Sequence, residues 1–169
     1  ILGRTEGLTM PITDLLERNS KLYGDMTALV EINPELREPR RVTWREYELI
    51  QPGGPAPYRR EITWSVFDEK SNRAANLLLG RGIRKGQKVA LLMMNNLEWL
   101  PIYFGILKTG AIAVPLNFRY TADEIRYCLG LSDADVLFFG PEFIGRVEEI
   151  VPDIGGEKLL FFVGDSCPT

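Results

Sequence analysis

Four apolar runs recur at a nearly constant spacing in the second half of the chain, and this periodicity most constrains the fold. The runs cover residues 88–93, 111–114, 135–139 and 158–163, so their starts lie about 23 residues apart. Strands that are apolar at consecutive positions are typical of a sheet covered on both faces. Segments of helical character separate the runs and are long enough for right-handed crossovers. The pattern predicts an α/β fold with an open, mainly parallel sheet of four strands.

Local signals mark where the connecting helices begin. Thr121 and Glu124 have the spacing of a capping box, in which each side chain accepts a hydrogen bond from the other residue's backbone N–H. Pro141 is expected just inside the next helix, where its missing N–H costs nothing. A third helix is expected to begin near Asn95, but Pro101 would then fall about two turns inside it. That helix is therefore expected to begin late or to kink.

The N-terminal part of the chain combines a helix and a strand. Residues 10–32 carry apolar side chains at helical spacing, with Thr13 or Asp14 as a possible cap, and then a short strand-like stretch from Thr27 to Ile32. A further helix is predicted from Val66 to Leu79. The sequence therefore predicts an N-terminal helix and strand ahead of the repeated sheet.

An unusual stretch separates these two parts. Segments 40–44 and 59–64 resemble each other and flank a loop rich in Gly and Pro, which predicts a β-hairpin insertion over residues 33–64. The insertion is either an exposed excursion or a functional lid. The chain is thus interpreted as one truncated unit, residues 1–169, with three parts: residues 10–32, 33–64 and 65–163.

Composition and charge exclude several classes of function. The net charge of −3, with Lys and Arg dispersed, argues against binding to nucleic acid or to an anionic membrane surface. The chain contains no histidine, the commonest general base and metal ligand. Cys128 and Cys167 match no zinc or redox spacing, so a reducing cytoplasm is predicted. No apolar stretch reaches the length of a transmembrane helix.

Three patterns that could carry chemistry have simpler explanations. The glycine-rich stretch 80–86 follows a helix and precedes a strand, whereas a phosphate loop has the opposite order, so a plain turn is predicted. Asn95 and Glu98 are interpreted as capping groups. Asp133 and Asp135 flank a helix-to-strand turn and are interpreted as solvated residues of that turn. From composition and spacing alone, the chain is an α/β domain of unknown function.

The residues from Ile62 onward resemble, in order and with matching spacing, five motifs of a known family. The motifs correspond to residues 62–76, 82–90, 95–99, 106–117 and 119–125, and the segment Leu-Lys-Thr-Gly-Ala followed by Val-Pro-Leu-Asn is the closest match. The family is the adenylate-forming superfamily of acyl- and aryl-CoA synthetases, luciferases and peptide-synthetase adenylation domains. The resemblance extends over about residues 10–163 and is strongest to the fatty or medium-chain acyl-CoA ligase branch.

The resemblance implies a two-step reaction for the parent enzyme. A carboxylate attacks ATP to give an acyl-adenylate and pyrophosphate, and the thiol of CoA then displaces AMP. The parent would use ATP, Mg and CoA, with a small-molecule carboxylic acid as substrate. The family's Ser/Thr/Gly-rich phosphate loop and its catalytic lysine come after the region seen here. We therefore expect this chain to contain no catalytic residue and no metal or cofactor of its own, and to need the remainder of its enzyme as a partner.

The resemblance also suggests where CoA would approach. Asn117, Phe118 and Arg119 correspond to a position beside the CoA tunnel in some relatives, and Arg146 could meet a CoA phosphate. Ordinary surface or packing roles remain open for all four residues. A non-catalytic nucleotide- or CoA-binding or assembly module on the same scaffold, a homo-oligomer, and a flavodoxin-like domain also remain open. The last of these lacks the phosphate loop expected after its first strand.

Overall fold

The computed structural model describes residues 10–32, 58–154, 156 and 158–164. Within these ranges, no helix is long and apolar enough to cross a membrane. The described elements, in chain order, are α1 (Ile12–Tyr23), β1 (Thr27–Ile32), β2 (Arg59–Thr63), α2 (Trp64–Gly80), β3 (Lys88–Leu92), α3 (Trp99–Lys108), β4 (Ile112–Pro115), α4 (Ala122–Ser132), β5 (Val136–Phe139), a 3₁₀ turn (Pro141–Phe143), α5 (Ile144–Ile150) and β6 (Leu159–Phe162).

The four apolar runs form one parallel sheet, as predicted. The strand order is β4-β3-β5-β6, and every neighbouring pair is parallel. Ala90 of β3 is in register with Val114 of β4 on one side and with Leu137 of β5 on the other. After β3 the chain therefore forms β4 on one side of β3, and it then crosses back to form β5 on the other side of β3.

Both faces of this sheet are covered, which explains why its strands are apolar at consecutive positions. Ala90 and Leu92 of β3 pack with α4 and α5, whereas Val89 and Leu91 of the same strand pack with α2 and α3. All four residues of β5 are buried. Two hydrophobic cores therefore lie on opposite sides of the central strands, and burial of their apolar surface is the main stabilising contribution.

The predicted helix starts are confirmed in two cases and refined in a third. Both hydrogen bonds of the capping box join Thr121 and Glu124 at the start of α4. Pro141 opens the 3₁₀ turn that leads into α5. Helix α3 begins late, at Trp99, so that Pro101 lies within its first turn, where a missing N–H is tolerated.

Two of the predicted caps are wrong. Helix α1 begins after Pro11 without any side-chain cap, and Thr13 and Asp14 instead lie inside its first turn. At the start of α3, the side chain of Asn96 caps the helix, because its Oδ1 accepts hydrogen bonds from the N–H groups of Glu98 and Trp99 at 3.0 and 3.1 Å. Neither Asn95 nor Glu98 does so.

The second sheet is a two-stranded antiparallel ribbon of β1 and β2. Leu29 is in register with Ile62, Val30 with Glu61 and Ile32 with Arg59. The sequence did not predict this pairing. It predicted that residues 59–64 pair with residues 40–44, which lie outside the described residues. Thr63 ends β2 and caps α2 through its side chain, so the ribbon leads directly into the helix that covers the parallel sheet.

Candidate functional site

The four candidate residues from the sequence lie at the carboxyl edge of the parallel sheet. Residues 117–119 belong to the loop between β4 and α4, and Arg146 lies in α5, which follows β5. Segments that leave the carboxyl ends of parallel strands form the ligand-binding edge of open α/β sheets. The fold therefore brings together residues that are far apart in sequence.

The loop after β4 is held by its own side chains. Asn117 accepts a hydrogen bond from the N–H of Arg119 through its Oδ1, at 2.9 Å, which fixes a tight Asx turn. The guanidinium of Arg119 lies over the ring of Phe118, with 5.4 Å between Cζ and the ring centroid. Phe118 is 37% exposed. A cation is thus stacked over an aromatic ring at the surface of this turn.

Arg146 ties this loop to α5. Its Nη1 donates to the carbonyl oxygens of Phe118 and Tyr120, at 2.8 and 3.0 Å, and its Cζ lies 5.5 Å from the ring centroid of Phe143. Phe143 itself is fully buried. Arg146 therefore spans from the core to the backbone of the loop and fixes the position of Phe118 and its neighbours. The roles of Tyr120 and Phe143 were not predicted from the sequence. Tyr120 contributes only a backbone carbonyl group, and Phe143 contacts Arg146 through its ring.

A partly buried carboxyl group in the turn that leads into α5 was also missed. Glu142, in the 3₁₀ turn after β5, has one carboxylate oxygen, Oε2, that is buried and lacks a hydrogen-bond partner among the described residues. Burial raises the pKa of this carboxyl above its usual value. A charged residue three positions after the end of the buried strand β5 was the available signal, since the chain there leaves the sheet at its carboxyl edge.

The glycine-rich stretch 80–86 and the pair Asp133 and Asp135 have structural roles. Gly82 and Gly86 adopt positive φ angles of 86° and 87° in the turn between α2 and β3, which confirms a plain turn. Asp133 takes the left-handed conformation that ends α4. The prediction that Asp135 is a solvated turn residue is wrong: it is half-buried and accepts hydrogen bonds from the backbone N–H of Lys88 and the side chain of Gln87, at 2.9 and 3.0 Å, so it joins β3 to β5.

A depression lies between the ribbon and the loop after β3. It has a volume of about 330 Å³. Glu31 of β1 is one of its lining residues and accepts two close hydrogen bonds from the guanidinium of Arg60 and one from the backbone N–H of Leu97, at 2.9 Å. The contact between Glu31 and Leu97 was not predicted, because it joins residues 66 positions apart that no local sequence pattern connects.

Comparison with known proteins places the chain in a family. The family described as AMP-binding enzyme matches residues 16–159. A curated relative, the medium/long-chain-fatty-acid–CoA/3-oxocholest-4-en-26-oate–CoA ligase of Mycobacterium marinum, is 35% identical over 105 residues, which are 62% of this chain and 19% of that protein. The chain belongs to the AMP-binding enzyme family, and its curated relatives include proteins named as fatty-acid–CoA ligases.

Solved structures agree with this assignment. The anthranilate CoA ligase AuaEII, in complex with anthranoyl-AMP, matches with a TM-score of 0.70 and 28% identity, over 91% of this chain and 26% of that one. The N-terminal domain of FACL13 from Mycobacterium tuberculosis also has a TM-score of 0.70, at 23% identity, over 91% of this chain and 34% of that domain. The second likeness shows the fold. The chain spans about a fifth of the length of the curated relative from M. marinum.

Proposed function

We propose that this chain is the N-terminal part of an ATP-dependent acid–CoA ligase that converts a carboxylate and ATP into an acyl-adenylate and then into an acyl-CoA. The observation that carries the proposal is the family match over residues 16–159. Relatives named as fatty-acid–CoA ligases favour a medium- or long-chain carboxylic acid as the substrate. A free thiol at Cys128 is compatible with the cytoplasm as the compartment.

In this proposal the chain does not carry out the chemistry alone. The two-step reaction needs a phosphate loop and a lysine that we assign to the part of the parent enzyme outside this chain, together with Mg and ATP. The role of the present residues is to build the parallel sheet and to present its carboxyl edge. The non-catalytic binding or assembly module remains the alternative outcome of the tests below.

The CoA thioester step is where this chain's own residues contribute. Arg119 and Arg146 bring two positive charges to the loop after β4 in a chain whose net charge is −3. A guanidinium is well suited to phosphate oxygens, because it is always charged and presents several N–H donors. Phe118 and the turn at Asn117 offer an exposed ring and a fixed backbone beside them. These groups fit a phosphate-bearing thiol such as CoA.

The function is tested by comparing the 169-residue chain with the full-length product of its gene. We expect the chain alone to show no acid-dependent exchange between ATP and pyrophosphate, and the full-length protein to show it with fatty acids. Robust exchange by the chain alone would mean that the chemistry is wrongly assigned. If the full-length protein shows no exchange but the chain binds ATP, AMP or CoA in calorimetry, the binding-module alternative is correct.

The CoA site is tested with Arg119→Ala in the full-length protein. Loss of one charged hydrogen bond to a phosphate is expected to raise the KM for CoA about tenfold or more. ATP–pyrophosphate exchange, which precedes CoA binding, should be unchanged. Arg73→Ala is the matched control, because it removes the same charge from an exposed residue that pairs with Glu69 on α2. An unchanged KM for CoA in Arg119→Ala would contradict the assignment of this site.

A further inference from the structure

The side chain of Arg146 is engaged with the backbone of the loop after β4. Its Nη1 atom donates to the carbonyl oxygens of Phe118 and Tyr120, at 2.8 and 3.0 Å. A terminal guanidinium nitrogen carries two N–H groups, so both donors of Nη1 are engaged. The two accepting carbonyls flank Arg119. Arg146 therefore holds the backbone on either side of the residue whose contact with a CoA phosphate is tested above.

The other end of this connection is fixed in the hydrophobic core. The Cζ atom of Arg146 lies 5.5 Å from the ring centroid of Phe143, and this ring is fully buried. Helix α5 also buries Val147 and Ile150 in the core that covers one face of the parallel sheet. A hydrogen bond from a charged donor is stronger than one between neutral groups. Arg146 therefore transfers the fixed position of α5 to a loop that lies 26 to 28 residues away in sequence.

The two arginines at this edge of the sheet differ in exposure. Arg119 is exposed, and its guanidinium lies over the ring of Phe118 at the surface of the turn. Arg146 is half-buried. A phosphate that took over the N–H groups of its Nη1 would remove hydrogen bonds from two backbone carbonyls, which is costly. Exposure thus favours Arg119 as the direct contact for a phosphate, and the hydrogen bonds of Arg146 favour a supporting role.

We propose that Arg146 is a positioning residue for CoA, which holds residues 117–120 in the conformation that receives the thiol-bearing arm and leaves the direct contact with a CoA phosphate to Arg119. This inference rests on the proposed function, and it replaces the expectation that Arg146 meets a phosphate itself. A displacement of about 1 Å in groups that position a substrate can cost on the order of 100-fold in rate. Loss of the connection between α5 and the loop should therefore be visible in the kinetics.

Comparison of CoA with pantetheine separates positioning from phosphate binding, because pantetheine carries the same thiol-bearing arm but no phosphate. In the full-length gene product, Arg146→Ala is expected to lower kcat/KM by about tenfold or more, and by the same factor, with both thiols. Arg119→Ala is expected to lower it with CoA only. ATP–pyrophosphate exchange, which precedes CoA binding, should be unchanged in both variants.

A conservative substitution gives a second test, which does not depend on removing the whole side chain. Arg146→Lys keeps the positive charge and most of the aliphatic stem, but an ammonium group lacks the planar array of donors that an arginine presents. We expect Arg146→Lys to show most of the loss seen in Arg146→Ala. A lysine is an adequate point charge for a phosphate, so a phosphate ligand at this position would be largely rescued.

Hydrogen exchange measures the loop directly, without CoA. The N–H of Arg119 donates to Oδ1 of Asn117, and the N–H of Tyr120 donates to its carbonyl, at 2.9 and 3.0 Å. The peptide covering these amides should exchange about tenfold faster in full-length Arg146→Ala, because the loop opens more often. The peptide covering β5 is the internal reference. Arg126→Ala is the matched control, because the guanidinium of Arg126 pairs with Asp123 and Asp153 instead of the loop. It should change neither the exchange of the loop nor kcat/KM for either thiol.

The remaining outcomes separate this inference from the proposed function. If Arg146→Ala impairs the reaction with CoA but not with pantetheine, and the loop exchanges as before, Arg146 binds a phosphate and the positioning role is wrong while the function stands. Unchanged kinetics with both thiols also overturn the positioning role. An equal loss of ATP–pyrophosphate exchange overturns it as well, because Arg146 would then support the whole enzyme rather than the CoA loop. A full-length protein without ligase activity, in which Arg146→Ala still loosens the loop, overturns the function and leaves only the structural connection.

Discussion

The parallel sheet and the ribbon are both small sheets in one chain, yet they are stabilised in different ways. Strands β3 and β5 are paired on both sides and covered on both faces, and Val89, Leu91 and Leu137 are fully buried. In the ribbon, Val30 and Ile32 remain 44% exposed, and one edge of β1 borders an open groove. The parallel sheet has its stabilising contacts within the chain, whereas the ribbon depends on a few polar contacts such as that of Glu31.

This difference predicts that the two sheets unfold differently. The parallel sheet and its helices should unfold as one cooperative unit, because two cores share the same central strands. The ribbon should open locally at a lower free energy. Substitutions in the two regions can break or sharpen this distinction.

The largest effect is expected in the parallel sheet. Leu137→Ala removes a fully buried side chain at the centre of the core that packs with α4 and α5. Such substitutions cost about 2–5 kcal/mol, because apolar contacts are lost and a cavity remains. Val30→Ala in the ribbon should cost less than about 0.5 kcal/mol in the same chain. Urea denaturation followed by circular dichroism measures both values. Equal losses would show that the ribbon is as much a part of the cooperative core as the sheet.

The next effect concerns the layer of helices that covers one face of the sheet. A Cβ atom added at Gly105 of α3 would lie 2.5 Å from the Cβ of Ala74 and 2.9 Å from the carbonyl oxygen of Ser71, both in α2. Gly105→Ala should therefore force the helices apart and cost about 1–3 kcal/mol. Gly130→Ala in α4 is the control, because nothing lies within 4 Å of an added Cβ there. This substitution should stabilise the chain by up to about 1 kcal/mol. The midpoint of thermal unfolding, measured for both variants, tests this prediction. A higher midpoint for Gly105→Ala than for the unsubstituted chain would show that α2 and α3 are not in close contact at this position.

A smaller and more local effect is expected at Glu31. Glu31→Gln weakens the paired hydrogen bonds with Arg60 and the bond from the N–H of Leu97, at a cost of about 0.5–1.5 kcal/mol. The loss should appear as faster hydrogen exchange of β1 and β2, with little change in global unfolding. Glu61→Gln is the matched control in the same ribbon, because its pair with Arg59 is about half exposed and such pairs contribute little. If both variants behave alike, Glu31 does not attach the ribbon to the loop after β3.

The same contrast explains what the sequence could predict. The four strands of the parallel sheet and the cap at Thr121 were predictable, because consecutive apolar residues and a capping box are local signals. The pairing of β1 with β2 was not predictable, because residues 33–57 separate the two strands and no local sequence pattern indicates which strand pairs with which. Two adjacent asparagines carried no signal to show that Asn96 caps α3. The resemblance assigned Phe118 and Arg146 separately to the CoA tunnel, but the hydrogen bond from Arg146 to the carbonyl of Phe118 was not predicted, because it joins two segments 28 residues apart.

The smallest predicted effect lies at the carboxyl edge of the sheet, where the partly buried Glu142 follows β5 in the 3₁₀ turn. Burial raises the pKa of this carboxyl, so the folded state binds a proton more tightly than the unfolded state. Its contribution to stability is therefore fully present below the unfolded pKa, near 4.5, and is lost as the pH rises through the higher folded pKa. Glu142→Gln should flatten this dependence and leave the variant more stable at pH 7 by less than about 1 kcal/mol, because the group is only partly buried. Glu149→Gln, at an exposed position of α5, is the control. The urea midpoints of wild type and Glu142→Gln, measured between pH 4 and pH 8, should be equal at the acidic end and should separate as the pH rises. If the two plots of midpoint against pH are parallel instead, water or another group already satisfies the Oε2 atom.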